Sequence, residues 1–133
     1  MIFVKTREEV DAMRRANRIV RDTLLLVRDR IKEGVTTAEV DGWVREYIES
    51  QGAKPSCLGY EGYPASTCIS IDDVVVHGIP SKKTYIEEGQ IVGVDLCAYV
   101  DGYHGDSART FMIGKVSREK KDLVETAEDR KSV

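Results

Sequence analysis

Disulfide chemistry has little to work with in this sequence. Its cysteines are odd in number, Cys57, Cys68 and Cys97, and none sits in a Cys-x-x-Cys pair. That argues against a disulfide framework and for a reducing, cytoplasmic environment. No apolar run reaches the roughly 20 residues of a membrane span, so no membrane partner is expected. The opening MIFVKTREEV has no apolar core followed by a small-residue cleavage site and predicts no signal peptide. Basic residues never cluster: 20 basic and 23 acidic side chains are intermixed, for a net charge of −3. Nucleic-acid binding therefore has no electrostatic support. No repeat or low-complexity tract occurs. What is present, 41% hydrophobic and 32% charged residues, is the composition of a soluble globular protein. The length suits a single domain over residues 1–133 with its own core.

Two helices open the chain. TREEVDAMRRANRIVRDTLLLVRDRIKEG carries a capping box, Thr6 with Glu9, and apolar residues at helical spacing. Met13, Ala16, Val20, Leu24, Val27 and Ile31 form its predicted buried stripe, and Gly34 its stop. TTAEVDGWVREYIESQG repeats the design with Thr36 and Glu39 as capping box. Val40, Trp43, Val44, Tyr47 and Ile48 form its inner face, and Gly52 ends it.

The texture changes after Pro55. CLGYEGYPASTCISIDDVVVHGIPS is rich in glycine, tyrosine and β-branched residues. It predicts a loop, a strand near Thr67–Ile71, a turn at Asp72–Asp73 and a further strand at Val74–His77. IVGVDLCAYVDGYHGDSARTF then reads as two β arms around Asp101–Gly102, a strong hairpin signal. Ser117 can cap a last helix, REKKDLVETAEDRKSV, whose apolar stripe is thin and fades in DRKSV. Helices followed by strands and a hairpin predict an α+β fold, an antiparallel sheet with helices packed on one face.

The hairpin contains two aspartates in apolar surroundings. With Asp101–Gly102 as a two-residue turn, Val100 pairs with Tyr103, Asp95 with Ala108 and Cys97 with Asp106. Opposite residues share a face, so Asp95, Asp106 and Cys97 point the same way. The carboxylates become diagonal neighbours, about 7–8 Å apart at the backbone. Two like charges on one sheet face repel, and burial strengthens the repulsion. Arg109 alternates to the other face and is a poor partner. A divalent cation, or two cations bridged by carboxylates, would compensate. From the residues alone, solvent-exposed or turn-capping aspartates remain the alternative reading. His77 ahead of Gly-Ile-Pro reads equally as a turn residue. Tyr60 and Tyr63 read as core aromatics, and Cys57 and Cys68 as small buried hydrophobes.

GYEGYPASTCIS, VVVHGIPS and DGYHGDSARTF, in this order and spacing, give the chain its resemblance to the type I methionine aminopeptidases. The resemblance covers essentially the whole sequence. Prolidase and aminopeptidase P share the fold, but YPASTCIS and HGIP are similar to methionine aminopeptidase instead. The resemblance implies half of a pita-bread (creatinase/aminopeptidase) fold, which has two αβ halves about a pseudo-two-fold axis. It implies a dinuclear centre of divalent ions (Co, Mn, Fe or Zn) held by two Asp, one His and two Glu. Asp95 and Asp106 match the two aspartates. His77 matches the histidine that approaches the scissile peptide, a catalytic and substrate-binding role. Cys57, Tyr60, Tyr63 and Cys68 match positions around the methionine side chain. The substrate implied is a peptide or nascent-protein N-terminus.

Two departures matter. The family's chains are about twice as long, and the remaining ligands, one His and two Glu, belong to the half with no counterpart here. His104 matches no ligand, and neither do Glu119, Glu125 and Glu128. IDD stands where the family usually has Asn and then an acidic residue. The sequence thus reads as an N-terminal half, expected to be weakly active or inactive alone. A homodimer through the vacated pseudo-two-fold face is one expectation. A catalytically silent oligomerising or peptide-binding module is the alternative, and a truncation product with no role of its own is the third.

Overall fold

A computed structural model describes residues 1–130, and Lys131, Ser132 and Val133, the end of the predicted fading helix, lie outside the described residues. Helix α1 spans Arg7–Arg30 and α2 spans Thr37–Ser50. Strand β1 is Lys54–Pro55, β2 Thr67–Ile71, β3 Ile91–Val100 and β4 Tyr103–Met112, and α3 is Arg118–Arg130. The architecture is α+β with a mostly antiparallel sheet, as the sequence predicts.

Both capping boxes form. Thr6 Oγ1 accepts from Glu9 N–H, and Glu9 accepts from Thr6 N–H at 2.7 Å. Thr36 and Glu39 reproduce this at the head of α2. Each box satisfies backbone donors that a helix N-terminus leaves orphaned. Gly52 ends α2 with a φ of +72°. Gly52 N–H bonds Glu49 O and Ala53 N–H bonds Ile48 O, the paired bonds of a Schellman motif. Helix α1 stops earlier than Gly34 suggests. It ends at Arg30 with Ile31 already extended, and Gly34 instead turns the chain so that its N–H reaches Ile86 O.

Strand β3 is the axis of the sheet. It pairs with β4 along its whole length, and on its other side with β2 and then β1, which lie end to end. Asp101 and Gly102 both have positive φ, as a two-residue hairpin turn requires. The register follows: Val100↔Tyr103, Cys97↔Asp106 and Asp95↔Ala108. Val92, Val94, Leu96, Ala98 and Val100 alternate onto one face and are buried against α1 and α2. Ala16, Val20, Leu24 and Val27 of α1 and Val40, Val44 and Ile48 of α2 complete that core. Ile19 and Thr23 of α1 are also buried, whereas Trp43 and Tyr47 are only half-buried.

Gly105 sets the distance between helix and sheet. A side-chain carbon there would lie 2.5 Å from the Ala16 carbonyl carbon, so only glycine allows β4 to approach α1 so closely. The hairpin tip is held by Arg15 with Asp101 at 2.6 Å and by Tyr103 Oη donating to Glu9 at 3.1 Å. In α3, Ser117 Oγ accepts from Lys120 N–H, and Val124 is the buried anchor. Leu123 and Ala127, read as part of its apolar stripe, are exposed.

The strand expected at Val74–His77 does not form. After the Asp72–Asp73 turn the segment runs as an exposed loop, with Val74, Val75 and Val76 at 45, 88 and 63% exposure. β-branched composition makes such a run resemble a strand, but no strand of the described residues pairs with it. Conversely β1, two residues ending in proline, carries no periodicity from which to predict it.

Candidate metal centre and adjoining cavity

The open face of the sheet carries the side chains that the hairpin register singles out. Cys68, Asp95 and Ala108 stand in one cross-strand row, and Cys97 and Asp106 in the next. Asp95 is half-buried and Asp106 exposed. Asp95 has its carboxyl pushed above the usual range, first by burial and then by the neighbouring charge of Asp106, with His77 pulling the other way. The direction is the one that burial and a neighbouring carboxylate both give. Arg109 pairs in register with Val94 on the opposite face and lies 5.8 Å from the Phe111 ring, so it does not neutralise the pair.

Beside this row the chain leaves the sheet between β1 and β2 and returns at Thr67. The loop contains a 3₁₀ turn at Tyr60–Gly62 with Glu61 at a φ of +47°. It walls a cavity of about 500 Å³ lined by Cys57, Tyr60, Glu61, Gly62, Tyr63, Pro64, Cys68, His77 and Ile79. All five side chains that the resemblance assigns to substrate binding face this one space. Glu61 and Ile79 have no signal in the sequence that places them there.

Two devices fix the cavity. Asp41 of α2 accepts from Ser66 N–H, Thr67 N–H and Thr67 Oγ1 at 2.8–2.9 Å, pinning the start of β2. Tyr63 Oη reaches Thr67 O at 2.9 Å and Gly78 O at 3.2 Å, tying the loop to the His77 segment. Burial, and then its contact with Cys68, raises the Tyr63 hydroxyl's pKa, so it stays a donor. His77 is held at a φ of +59°, a conformation rare outside glycine. Gly78 beside it passes directly against β2, bonding Ile69 N–H at 2.8 Å where a side chain would overlap the Ile69 carbonyl. The strained histidine is thus clamped from its C-terminal side.

The three cysteines are free and gather on this face. Cys97 neighbours both Cys57 and Asp106. That proximity lowers Cys57 to about 7, with the Cys97 backbone N–H assisting against burial and the two carboxylates. Cys97 is raised, first by its hydrogen bond to Cys57, then by burial and Asp106. Cys68 is raised by burial. The register places Cys97 on this face from sequence alone, but nothing there predicts that Cys57 returns to meet it.

As a donor set, Asp95 and Asp106 are two hard carboxylate oxygens groups suited to divalent cations. Among the described residues no cluster of three or more His, Cys, Asp or Glu is arranged to hold a metal. His104 is engaged elsewhere, with Nδ1 2.9 Å from Ser56 Oγ and its ring 4.7 Å from that of Tyr99. A second cavity, of about 480 Å³, lies between α1, α3 and β4, and its charged lining residues are Arg21, Asp106, Arg109 and Glu128. Arg21 there is paired with Asp22. Among the described residues no helix is long and apolar enough to cross a membrane.

Comparison with known proteins bears on the family and the fold. Methionine aminopeptidase of Clostridium acetobutylicum is 44% identical over 129 residues, 97% of this chain and 52% of the relative. Methionine aminopeptidase 1 of Bacillus subtilis is 41% identical over the same share of both. The crystal structure of methionine aminopeptidase from Thermotoga maritima superposes with a TM-score of 0.94 at 37% identity, covering 97% of this chain and 52% of that one. Prolidase from Pyrococcus furiosus superposes at 0.75 and 25% identity, covering 92% and 34%. The fold is accordingly half of the pita-bread architecture, and the chain spans about half the length of the curated relatives it matches. The model of metallopeptidase family M24, whose members depend on divalent metal, matches residues 11–130, and the chain belongs to that family.

Proposed function

We propose that this chain forms the N-terminal half of the catalytic domain of a metal-dependent aminopeptidase that removes methionine from the N-terminus of peptides and nascent proteins in the cytoplasm. The observation that carries the reading is one juxtaposition. Asp95 and Asp106 share the open sheet face, and the Cys57–Tyr63–Cys68–His77 cavity adjoins them through the Cys68–Asp95 row. The 37–44% identities to methionine aminopeptidases support it. Asp95 and Asp106 would hold divalent ions (Co, Mn, Fe or Zn), two per complete centre. When bound, such ions supply Lewis acidity and an activated water. Cys57, Tyr60, Tyr63 and Cys68 form an apolar-walled space for a thioether side chain, with Tyr63 Oη satisfied by backbone carbonyls rather than turned inward. His77 is the catalytic donor positioned over the scissile peptide, its strained backbone keeping the ring near Asp95.

Two carboxylates fill few positions around a cation, and the remaining ligands belong to residues outside this sequence. The chain alone is therefore expected to release little or no methionine from a Met-Ala-Ser peptide. Isothermal titration of the metal-free chain with Co(II) and Mn(II), against Asp95→Ala, tests the centre. Weak binding lost in the variant is expected, and equal binding by both proteins would remove Asp95 from the site.

A second reading is favoured by the exposed run Val74, Val75, Val76 and Ile79 beside His77. A homodimer closing over this apolar segment would bring two Asp95/Asp106 pairs together, with or without catalysis, as an oligomerising or peptide-binding module. Size exclusion with light scattering decides it, and a monomer at high concentration rules it out.

A further inference from the structure

We propose that Tyr63 is a positioning residue for His77: its hydroxyl, reaching from the cavity wall to the Gly78 carbonyl, fixes where the imidazole stands. The chain on either side of the histidine shows why a holder is needed. Val74, Val75 and Val76 run exposed up to it, so little packing orients the segment from its N-terminal side. His77 itself is exposed and held in the left-handed region, a backbone conformation that persists only where the surroundings over-determine it. The holding falls to Gly78. Its N–H donates to Ser70 Oγ at 3.2 Å, and its carbonyl accepts from Ile69 N–H at 2.8 Å and from Tyr63 Oη at 3.2 Å. The first two partners belong to β2. Tyr63 is the partner that comes from the cavity wall.

That wall is a fixed support. Tyr63 precedes Pro64, which favours extended backbone, and it sits at a φ of −62° and a ψ of 128°. Its N–H donates to Tyr60 O and its carbonyl accepts from Gly59 N–H, both at 2.8 Å, closing the 3₁₀ turn. The hydroxyl has a single hydrogen and two carbonyls in reach, Thr67 O at 2.9 Å as well as Gly78 O. It therefore spans the start of β2 and the histidine segment with one shared donation. Burial, the first cause of its raised pKa, keeps that hydrogen in place. Tyr63 also lines the cavity that His77 borders. A side chain pressing on Tyr63 thereby presses on the anchor of the histidine, and cavity contents are linked to imidazole position through one residue.

The use of that position rests on the catalytic role proposed for His77, but the test reads position and not peptide cleavage, so the two can fail separately. Heteronuclear NMR of the metal-free chain is suited to it. The sequence has two histidines, and His104, hydrogen-bonded to Ser56, serves as the internal reference. The unsubstituted chain is compared with Tyr63→Phe, which removes only the hydroxyl, and with Tyr60→Phe, which removes one from another cavity residue. In Tyr63→Phe the His77 ring resonances are expected to move, and the Ile69 amide to exchange about tenfold faster, the scale of one lost hydrogen bond. The His104 resonances and the Thr67 amide, which Asp41 holds, should stay as they are. Tyr60→Phe should change none of these signals. An unmoved His77 ring in Tyr63→Phe overturns the proposal, as does the same movement in Tyr60→Phe. A Thr67 amide that accelerates as much as Ile69 also overturns it, since Tyr63 would then hold the start of β2 and not the histidine. In the unsubstituted chain a nuclear Overhauser contact between the Tyr63 ring and Gly78 is expected. Its absence is equally decisive against the proposal, so the outcome does not rest on the variants folding.

Discussion

The two faces of strand β3 are built from the same ten residues and follow opposite rules. Toward the helices, Val92, Val94, Leu96 and Ala98 have no exposure and no polar atom beyond the backbone. Toward the open side, Asp95 and Cys97 stand half-covered among like charges and free thiols. Strand alternation makes this division automatic, since adjacent side chains cannot share a face. The helix face therefore supplies the burial that holds the hairpin, and the open face is free to carry groups that oppose folding. In a chain of this size one layer of core must stabilise both.

The largest way to break this comparison is Leu96→Ala. Leu96 is fully buried at the centre of the helix face, and truncating it is expected to cost about 2–5 kcal/mol by urea denaturation. A loss below about 1 kcal/mol would mean that the sheet does not pack on the helices as described. Next comes Gly105→Ala, which drives a methyl group into the Ala16 backbone and should cost about 1–3 kcal/mol in the same measurement. A neutral result would show that α1 can move away from β4.

The smallest effect sharpens the contrast by having the opposite sign. Asp95 binds its proton more readily in the folded chain than in the unfolded one, so its ionisation opposes folding. That penalty is absent below the ordinary pKa of 3.8, grows as pH rises through the raised value, and is complete above it. In metal-free protein Asp95→Asn should thus equal the unsubstituted chain in strong acid and exceed it near neutrality. After solvent screening the gain should stay below about 1 kcal/mol. Denaturation midpoints across this range check it, and a variant less stable at neutral pH contradicts the repulsion.

The helix face was legible in the sequence because capping boxes and apolar spacing are local signals. So was the hairpin, since Asp101–Gly102 fixes a turn whose register assigns every residue to a face. The diagonal placement of Asp95 and Asp106 follows from that one turn. The cavity was legible only through family resemblance, because Cys57, Tyr63 and His77 converge through loops whose paths no periodicity encodes. Val74–His77 misled for a related reason: β-branched residues favour extended backbone whether or not a partner strand exists. The nearness of Cys57 to Cys97 combines both cases, with one partner set by register and the other by a loop return.

That loop has both ends on the same strand, Ser56 bonded to Cys97 and Thr67 paired with Leu96. Residues added or removed between these anchors would deepen or fill the cavity without shifting either aspartate. The shape of the cavity and the placement of the carboxylates can therefore be altered independently, and a library confined to this loop would vary the first while leaving the second in place.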